Sequence, residues 1–123
     1  MAKILVVDDS PSEMAKFRDI LTRHQHEVIE AHTGEDGIQK ANEFFPDVIL
    51  MDVVMPEMNG FQATRKLTRD PKTSHIPVVI ISTKNQETDR VWGKRQGARD
   101  YLSKPITEEA LITVIQIGRS TRL

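Results

Sequence analysis

Short apolar runs recur along the chain, and most of them stop at a polar residue. Ile4-Leu5-Val6-Val7 runs into Asp8-Asp9, Val48-Ile49-Leu50-Met51 into Asp52, and Val78-Val79-Ile80-Ile81 into Ser82. Tyr101-Leu102 is followed two residues later by Lys104. Short β-branched and aliphatic runs without alternation read as strands covered on both faces. The pattern predicts strands at residues 3–7, 27–30, 47–51, 77–82 and 99–102.

Helical periodicity fills each gap. Ser10-Pro11-Ser12-Glu13 has the form of a capping box with Pro at the first helical position, and Met14, Phe17, Ile20 and Leu21 then make one apolar stripe. Thr33 or Gly34 opens a second helix that buries Ile38, Ala41 and Phe44 or Phe45 before Pro46 stops it. Asn59 caps a third through Leu67. Asn85 is the expected cap of a fourth, which Gly97 closes, and Thr107 caps a fifth with Glu108 and Glu109 in its first turn. Arg119 and Arg122 fall at or beyond the end of that helix. Five such alternations with short connections imply a parallel sheet with helices on both faces. The natural small solution is a flavodoxin-like (βα)5 three-layer sandwich, strand order 2-1-3-4-5. In that order the first, third, fourth and fifth strands are contiguous, and their carboxyl ends bring Asp8, Asp9, Asp52, Ser82 and Lys104 to one edge.

Bulk properties narrow the function classes. A length of 123 residues fits one domain and leaves no room for an effector module, so residues 1–123 are expected to be a single domain. Net charge is −1, from 17 basic and 18 acidic residues, so no bulk field favours nucleic acid or an anionic membrane. No cysteine is present, which removes disulfides and thiolate metal sites, and no apolar stretch approaches the roughly 18 residues of a membrane span. The expectation is a cytoplasmic protein with neither nucleic-acid binding nor membrane insertion.

Carboxylates at a strand-end cluster suit Mg²⁺, with Mn²⁺ as an alternative, whereas zinc favours His or Cys. Asp8 and Asp9 point to opposite faces of an ideal strand and reach one ion only if the chain turns there. Three gathered carboxylates repel one another, and a divalent cation relieves that repulsion. Asp52 then sits best as the nucleophile that accepts a phosphoryl group. Lys104 is placed to pair a phosphoryl oxygen, and Ser82 to donate a hydrogen bond to another. Any one of these residues alone reads as a cap or turn former; it is their conjunction that carries the chemistry. The His24-x-His26 pair falls at a helix end and reads as a turn rather than a metal site.

These residues resemble the response-regulator receiver domains of two-component signalling. The likeness rests on Ile4 to Asp9, on Asp52 with Met55-Pro56 and Asn59-Gly60, on Ser82, and on Tyr101 three residues before Lys104-Pro105. It implies that Asp52 accepts phosphate from a histidine kinase, and that Asp9, Asp52 and the Val54 main-chain carbonyl ligate Mg²⁺, with Asp8 acting largely through water. It further implies that Ser82 swings toward the phosphoryl group, that Tyr101 turns inward behind it, and that a cis peptide before Pro105 aims Lys104 inward. The stretch from Asp89 to Tyr101, with Phe61 to Arg65 and Lys84 to Thr88, is similar to the PilH type of pilus-linked, chemotaxis-like regulators. That likeness implies a place in type IV pilus twitching motility.

With no effector module, output is expected through a protein target on the fourth helix, fifth strand and fifth helix. There Arg90, Lys94, Arg95 and Arg99 make a locally basic neighbourhood and Trp92 is a candidate anchor. A phosphate sink for a shared kinase is an alternative role for the same chemistry. An aspartyl-phosphate hydrolase of haloacid-dehalogenase type needs a second acid two residues after the nucleophile, where this chain has Val54. The expected protein is therefore no enzyme beyond its own phosphorylation and slow dephosphorylation. FMN binding is disfavoured because two carboxylates follow the first strand, where a phosphate loop is needed.

Overall fold

The computed structural model describes residues 1–120. Five strands and five helices alternate: β1 (Lys3–Val7), α1 (Pro11–Arg23), β2 (Glu27–Ala31), α2 (Gly34–Phe44), β3 (Val48–Met51), α3 (Gly60–Arg69), β4 (Val78–Ser82), α4 (Glu87–Arg95), β5 (Asp100–Ser103) and α5 (Glu108–Ser120). The strands form one parallel sheet in the order β2-β1-β3-β4-β5, as the sequence predicts. Arg122 lies outside the described residues.

Successive strand residues face opposite layers, so each buried strand feeds two cores. Leu5, Val7, Ile49, Met51, Val78 and Ile80 pack on one side with Ala41 of α2 and with Ala63 and Leu67 of α3. Ile4, Val6, Val48, Leu50, Val79 and Ile81 pack on the other, against Met14, Phe17 and Leu21 of α1 and Leu111, Val114 and Ile115 of α5. Burial of each large side chain contributes roughly 1.5–3 kcal/mol, which fixes the register of the sheet and hence the positions of its polar ends. Long side chains cover carbonyls of both edge strands. Lys40 Nζ donates to the Glu30 carbonyl of β2 at 2.5 Å, and Arg90 Nη1 to the Tyr101 carbonyl of β5 at 2.8 Å.

Four helix starts are capped as expected, by Ser10, Thr33, Asn59 and Thr107. Three local expectations are corrected. The Ser10 hydroxyl does accept the Glu13 N–H at 3.3 Å, but the return half of the box is absent, because the Ser10 N–H donates to Asp8 Oδ1 at 2.9 Å. At α4 the cap is Gln86, not Asn85, since Asp89 lies three residues beyond Gln86 and its carboxylate accepts the Gln86 N–H at 3.2 Å. Neither Phe44 nor Phe45 is buried: they are 38% and 51% exposed, because α2 ends there with Phe45 in the left-handed conformation, φ 47°. Among the described residues no helix is long and apolar enough to cross a membrane.

Candidate phosphoryl site at the carboxyl edge of the sheet

Main-chain hydrogen bonds carry the parallel ladder one residue past the strands and align the polar ends. The Asp8 N–H donates to the Ala31 carbonyl at 3.0 Å, the Asp52 N–H to Val7 at 2.9 Å, and the Lys104 N–H to Ser82 at 2.9 Å. Asp8 and Asp52 therefore end neighbouring strands, and Ser82 and Lys104 lie on the next pair. Asp8 and Asp52 are buried, Asp9 is exposed, and one carboxylate oxygen of each lies within 4.8 Å of the others. The chain turns into α1 at Ser10, so consecutive aspartates reach one point despite their opposite directions on an ideal strand.

Lys104 closes the cluster. Its Nζ lies 2.8 Å from Asp8 Oδ2, 3.3 Å from Asp52 Oδ1 and 3.6 Å from Glu13 Oε1. The Lys104–Pro105 peptide is cis. Burial pulls the ammonium toward neutrality, but the Asp8 hydrogen bond and the Asp52 and Asp8 charges outweigh it, and the net shift is upward. Lys104 is thus held as a cation. Glu13 is a site residue that sequence reasoning missed. Read there as the return partner of a capping box, it instead extends its carboxylate over the site, because Asp8 takes the Ser10 N–H.

The Asp52 carboxyl is pushed up to about 6, first by burial and then by the Asp8 charge, against the pull of Lys104. Its folded value exceeds its ordinary value of 3.8, so ionising it costs the folded state stability. That cost is absent below about pH 4 and complete above about pH 7. In chelator, the stability of Asp52→Asn relative to wild type should therefore rise by about 2–3 kcal/mol between those limits, measured by urea unfolding. A gap that stays flat with pH would show that the carboxylate is not destabilised by its site.

Ser82 is buried at the end of β4, and its hydroxyl accepts the Lys84 N–H at 3.1 Å. Tyr101 on β5 is also buried, 2% exposed, with its phenol donating to the Lys84 carbonyl at 2.6 Å. Burial and the Asp89 charge push the phenol up, while the neighbouring Ser82 hydroxyl pulls the other way. Ser82, Lys84 and Tyr101 thus share one hydrogen-bonded corner. The Lys84 main chain, which serves both side chains, left no signal in the sequence. Val54 is 58% exposed beside the cluster, and Trp92 is 47% exposed on α4.

Arg90, in the locally basic neighbourhood expected of it, also donates to the Tyr101 carbonyl, a contact the sequence does not reveal. His24 and His26 do not converge. His24 Nε2 lies 2.8 Å from Glu108 Oε2, and His26 Nδ1 accepts the Ala2 N–H at 3.0 Å.

Three close carboxylates with no nitrogen or sulfur donor fit a hard divalent cation, and the adjacent ammonium fits an incoming anion. Comparisons with known proteins agree in kind. A family model described as "Response regulator receiver domain" matches residues 4–116. Protein PilH of Pseudomonas aeruginosa strain PAO1 is 61% identical over 115 residues, covering 94% of this chain and 95% of that protein. The Vibrio cholerae chemotaxis protein CheY4 superposes with a TM-score of 0.90 at 32% identity, covering 96% of this chain and 98% of that one. The receiver domain of a P. aeruginosa PAO1 sensor histidine kinase superposes with a TM-score of 0.90 at 25% identity, over 97% of this chain and 98% of its own. That structure is described with a magnesium ion coordinated in the active-site cleft.

Proposed function

The chain belongs to the response regulator receiver domain family, and from that membership we propose that it is a stand-alone phospho-switch whose acceptor is Asp52. The observation that carries this reading is the convergence of Asp8, Asp9, Asp52 and Lys104 at one sheet edge. Asp9, Asp52 and the Val54 main-chain carbonyl would ligate Mg²⁺, or Mn²⁺ in its place, with Asp8 contributing largely through water. The cation, when bound, neutralises charge on the carboxylates and on the transferred group. Asp52 attacks the phosphorus of a phosphohistidine on the partner kinase, and the histidine nitrogen leaves with the bonding pair. Lys104 turns from Asp52 to a phosphoryl oxygen, and Ser82 donates a hydrogen bond to another. Transfer of this kind depends on positioning and charge, so the lack of a neighbouring general base is no obstacle.

Output follows from the corner that Ser82 shares with Tyr101. A hydroxyl drawn toward the phosphoryl group leaves the Lys84 N–H, and because the Lys84 carbonyl holds the Tyr101 phenol, that bias reaches α4 and β5. The receiving surface is the α4–β5–α5 face, which presents Trp92, and the partner is a downstream protein target. The high identity to PilH over nearly its whole length supports a place in type IV pilus twitching motility. Val54 stands where a hydrolase of haloacid-dehalogenase type needs its second acid, which supports a switch rather than a turnover enzyme. The same features suit a cytoplasmic partner of a kinase.

Beryllofluoride, a phosphoryl mimic, tests the switch without a kinase. In the presence of Mg²⁺ it should change the fluorescence of Trp92, the single tryptophan, in wild type and not in Asp52→Asn. An equal response of the two proteins, or one independent of Mg²⁺, would remove Asp52 from the mechanism.

A further inference from the structure

Tyr101 is confined from several directions. Its ring lies against α4 at Gly93, where a Cβ would come within 2.8 Å of ring Cδ2 and 3.0 Å of Cε2. The ring of Phe61 stands 6.5 Å away, centroid to centroid, and the phenol is tied to the Lys84 carbonyl. Arg90, one turn before Gly93 on the same helix, completes the enclosure. Its Nη1 donates to the Tyr101 carbonyl at 2.8 Å, while its guanidinium carbon sits 5.5 Å from the centre of the Tyr101 ring. One side chain of α4 therefore holds both the backbone and the ring of a single β5 residue. The neighbouring acid does not compete for it, because Asp89 accepts the Gln86 N–H and faces Lys84 Nζ at 3.8 Å.

We propose that Arg90 is a positioning residue for the switch, clamping the Tyr101 ring inward and tying α4 to β5. The guanidinium is planar and carries several donors, so it donates to the carbonyl while its charge faces the ring; a lysine ammonium is a point charge that does one or the other. Half-buried, the cation meets the ring with part of its water removed, which strengthens the attraction. Swinging the ring outward forfeits the phenol hydrogen bond and the cation–ring contact together. Gly93 makes the inward place sterically available, and Arg90 makes it favourable. Because the inward ring sits in the corner with Ser82, the clamp and the phosphoryl group favour the same arrangement and reinforce each other. This inference rests on the switch reading given above.

Tyr101 is the only tyrosine in the sequence, so fluorotyrosine incorporation places one fluorine reporter on this ring. In wild type the fluorine resonance should be little relaxed by a soluble paramagnetic agent. In Arg90→Ala that relaxation should rise by about 5–30-fold, the loss expected for one partly desolvated cation–ring contact. Arg90→Gln, which keeps a donor but not the charge, should fall between, and Mg²⁺ with beryllofluoride should return Arg90→Ala toward the wild-type value. A lower melting temperature with less than a twofold change in relaxation would reduce Arg90 to a structural contact and overturn the proposal. The switch reading is judged separately, since its failure appears in wild type as a Trp92 signal indifferent to beryllofluoride. The clamp is read from the additive-free spectra.

Discussion

Gly60→Ala should destabilise the protein by about 3 kcal/mol or more and lower its melting temperature by about 10 °C or more. Gly60 opens α3 directly after the Asn59 cap, and its N–H donates to the Val53 carbonyl at 2.9 Å. An added Cβ would lie 1.9 Å from the Asp52 carbonyl oxygen and 2.8 Å from both the Asp52 carbonyl carbon and Val53 Cα. All three are main-chain atoms, so no rotamer change relieves the clash; either α3 or the segment carrying Asp52 must move. The defect should therefore be double, a loss of stability and a loss of Mg²⁺ affinity, because the Asp52 carboxylate rides on the displaced backbone. Gly118→Ala is the internal control. A Cβ there meets its nearest neighbours, on Val48 and Pro77, at 3.6–4.0 Å, ordinary contact, so the helix propensity of Ala should raise stability by about 0.5–1 kcal/mol. Thermal unfolding of the two variants decides; a Gly60→Ala protein within about 1 kcal/mol of wild type would contradict the close approach of α3 to Asp52.

Lys104→Ala should cost about 3–5 kcal/mol at neutral pH in chelator, because it strips the cation from two buried carboxylates. The side chains of Asp8 and Asp52 are 2% and 8% exposed, so neither recovers its charge stabilisation from water. Two conditions should restore much of the loss. Acid does so by protonating Asp52, whose carboxyl already titrates near 6, and Mg²⁺ does so by replacing the missing positive charge. Removing the ammonium should also tighten Mg²⁺ binding, since it removes a cation 2.8 Å from Asp8, one of the carboxylates proposed to hold the ion. Phosphoryl transfer to Asp52 should survive in the variant, while the Trp92 response and target binding should be lost. Denaturant unfolding with and without Mg²⁺ checks the first part. Unchanged partner binding by the phosphorylated variant would refute the second.

What the sequence made legible was whatever follows from periodicity and strong local chemistry. Continuous apolar runs such as Val48 to Met51 placed buried strands, Ser10, Thr33, Asn59 and Thr107 marked helix starts, and the strand ends then had to converge. The features it concealed depend on tertiary competition. Glu13 had a local partner in reach, but Asp8 took the Ser10 N–H and left the Glu13 carboxylate to Lys104. Asn85 is the stronger cap by type, yet the bond from the Gln86 N–H to Asp89 starts α4 one residue later. Phe44 and Phe45 looked like core residues by hydrophobicity, but the left-handed turn at Phe45 carries the chain into β3 with both rings largely outward. Arg90 read as surface charge because no linear pattern reveals that its guanidinium reaches across to Tyr101.

The identity of the phosphoryl acceptor is tested most directly by intact mass after incubation with acetyl phosphate and Mg²⁺, comparing wild type with Asp52→Asn. Wild type should gain one phosphoryl group, lose it slowly, and gain none in chelator, while Asp52→Asn should gain none under any of these conditions. Uptake of a phosphoryl group by Asp52→Asn, or by wild type without a divalent cation, would contradict an Asp52 switch built on the Asp8–Asp9–Asp52 cluster.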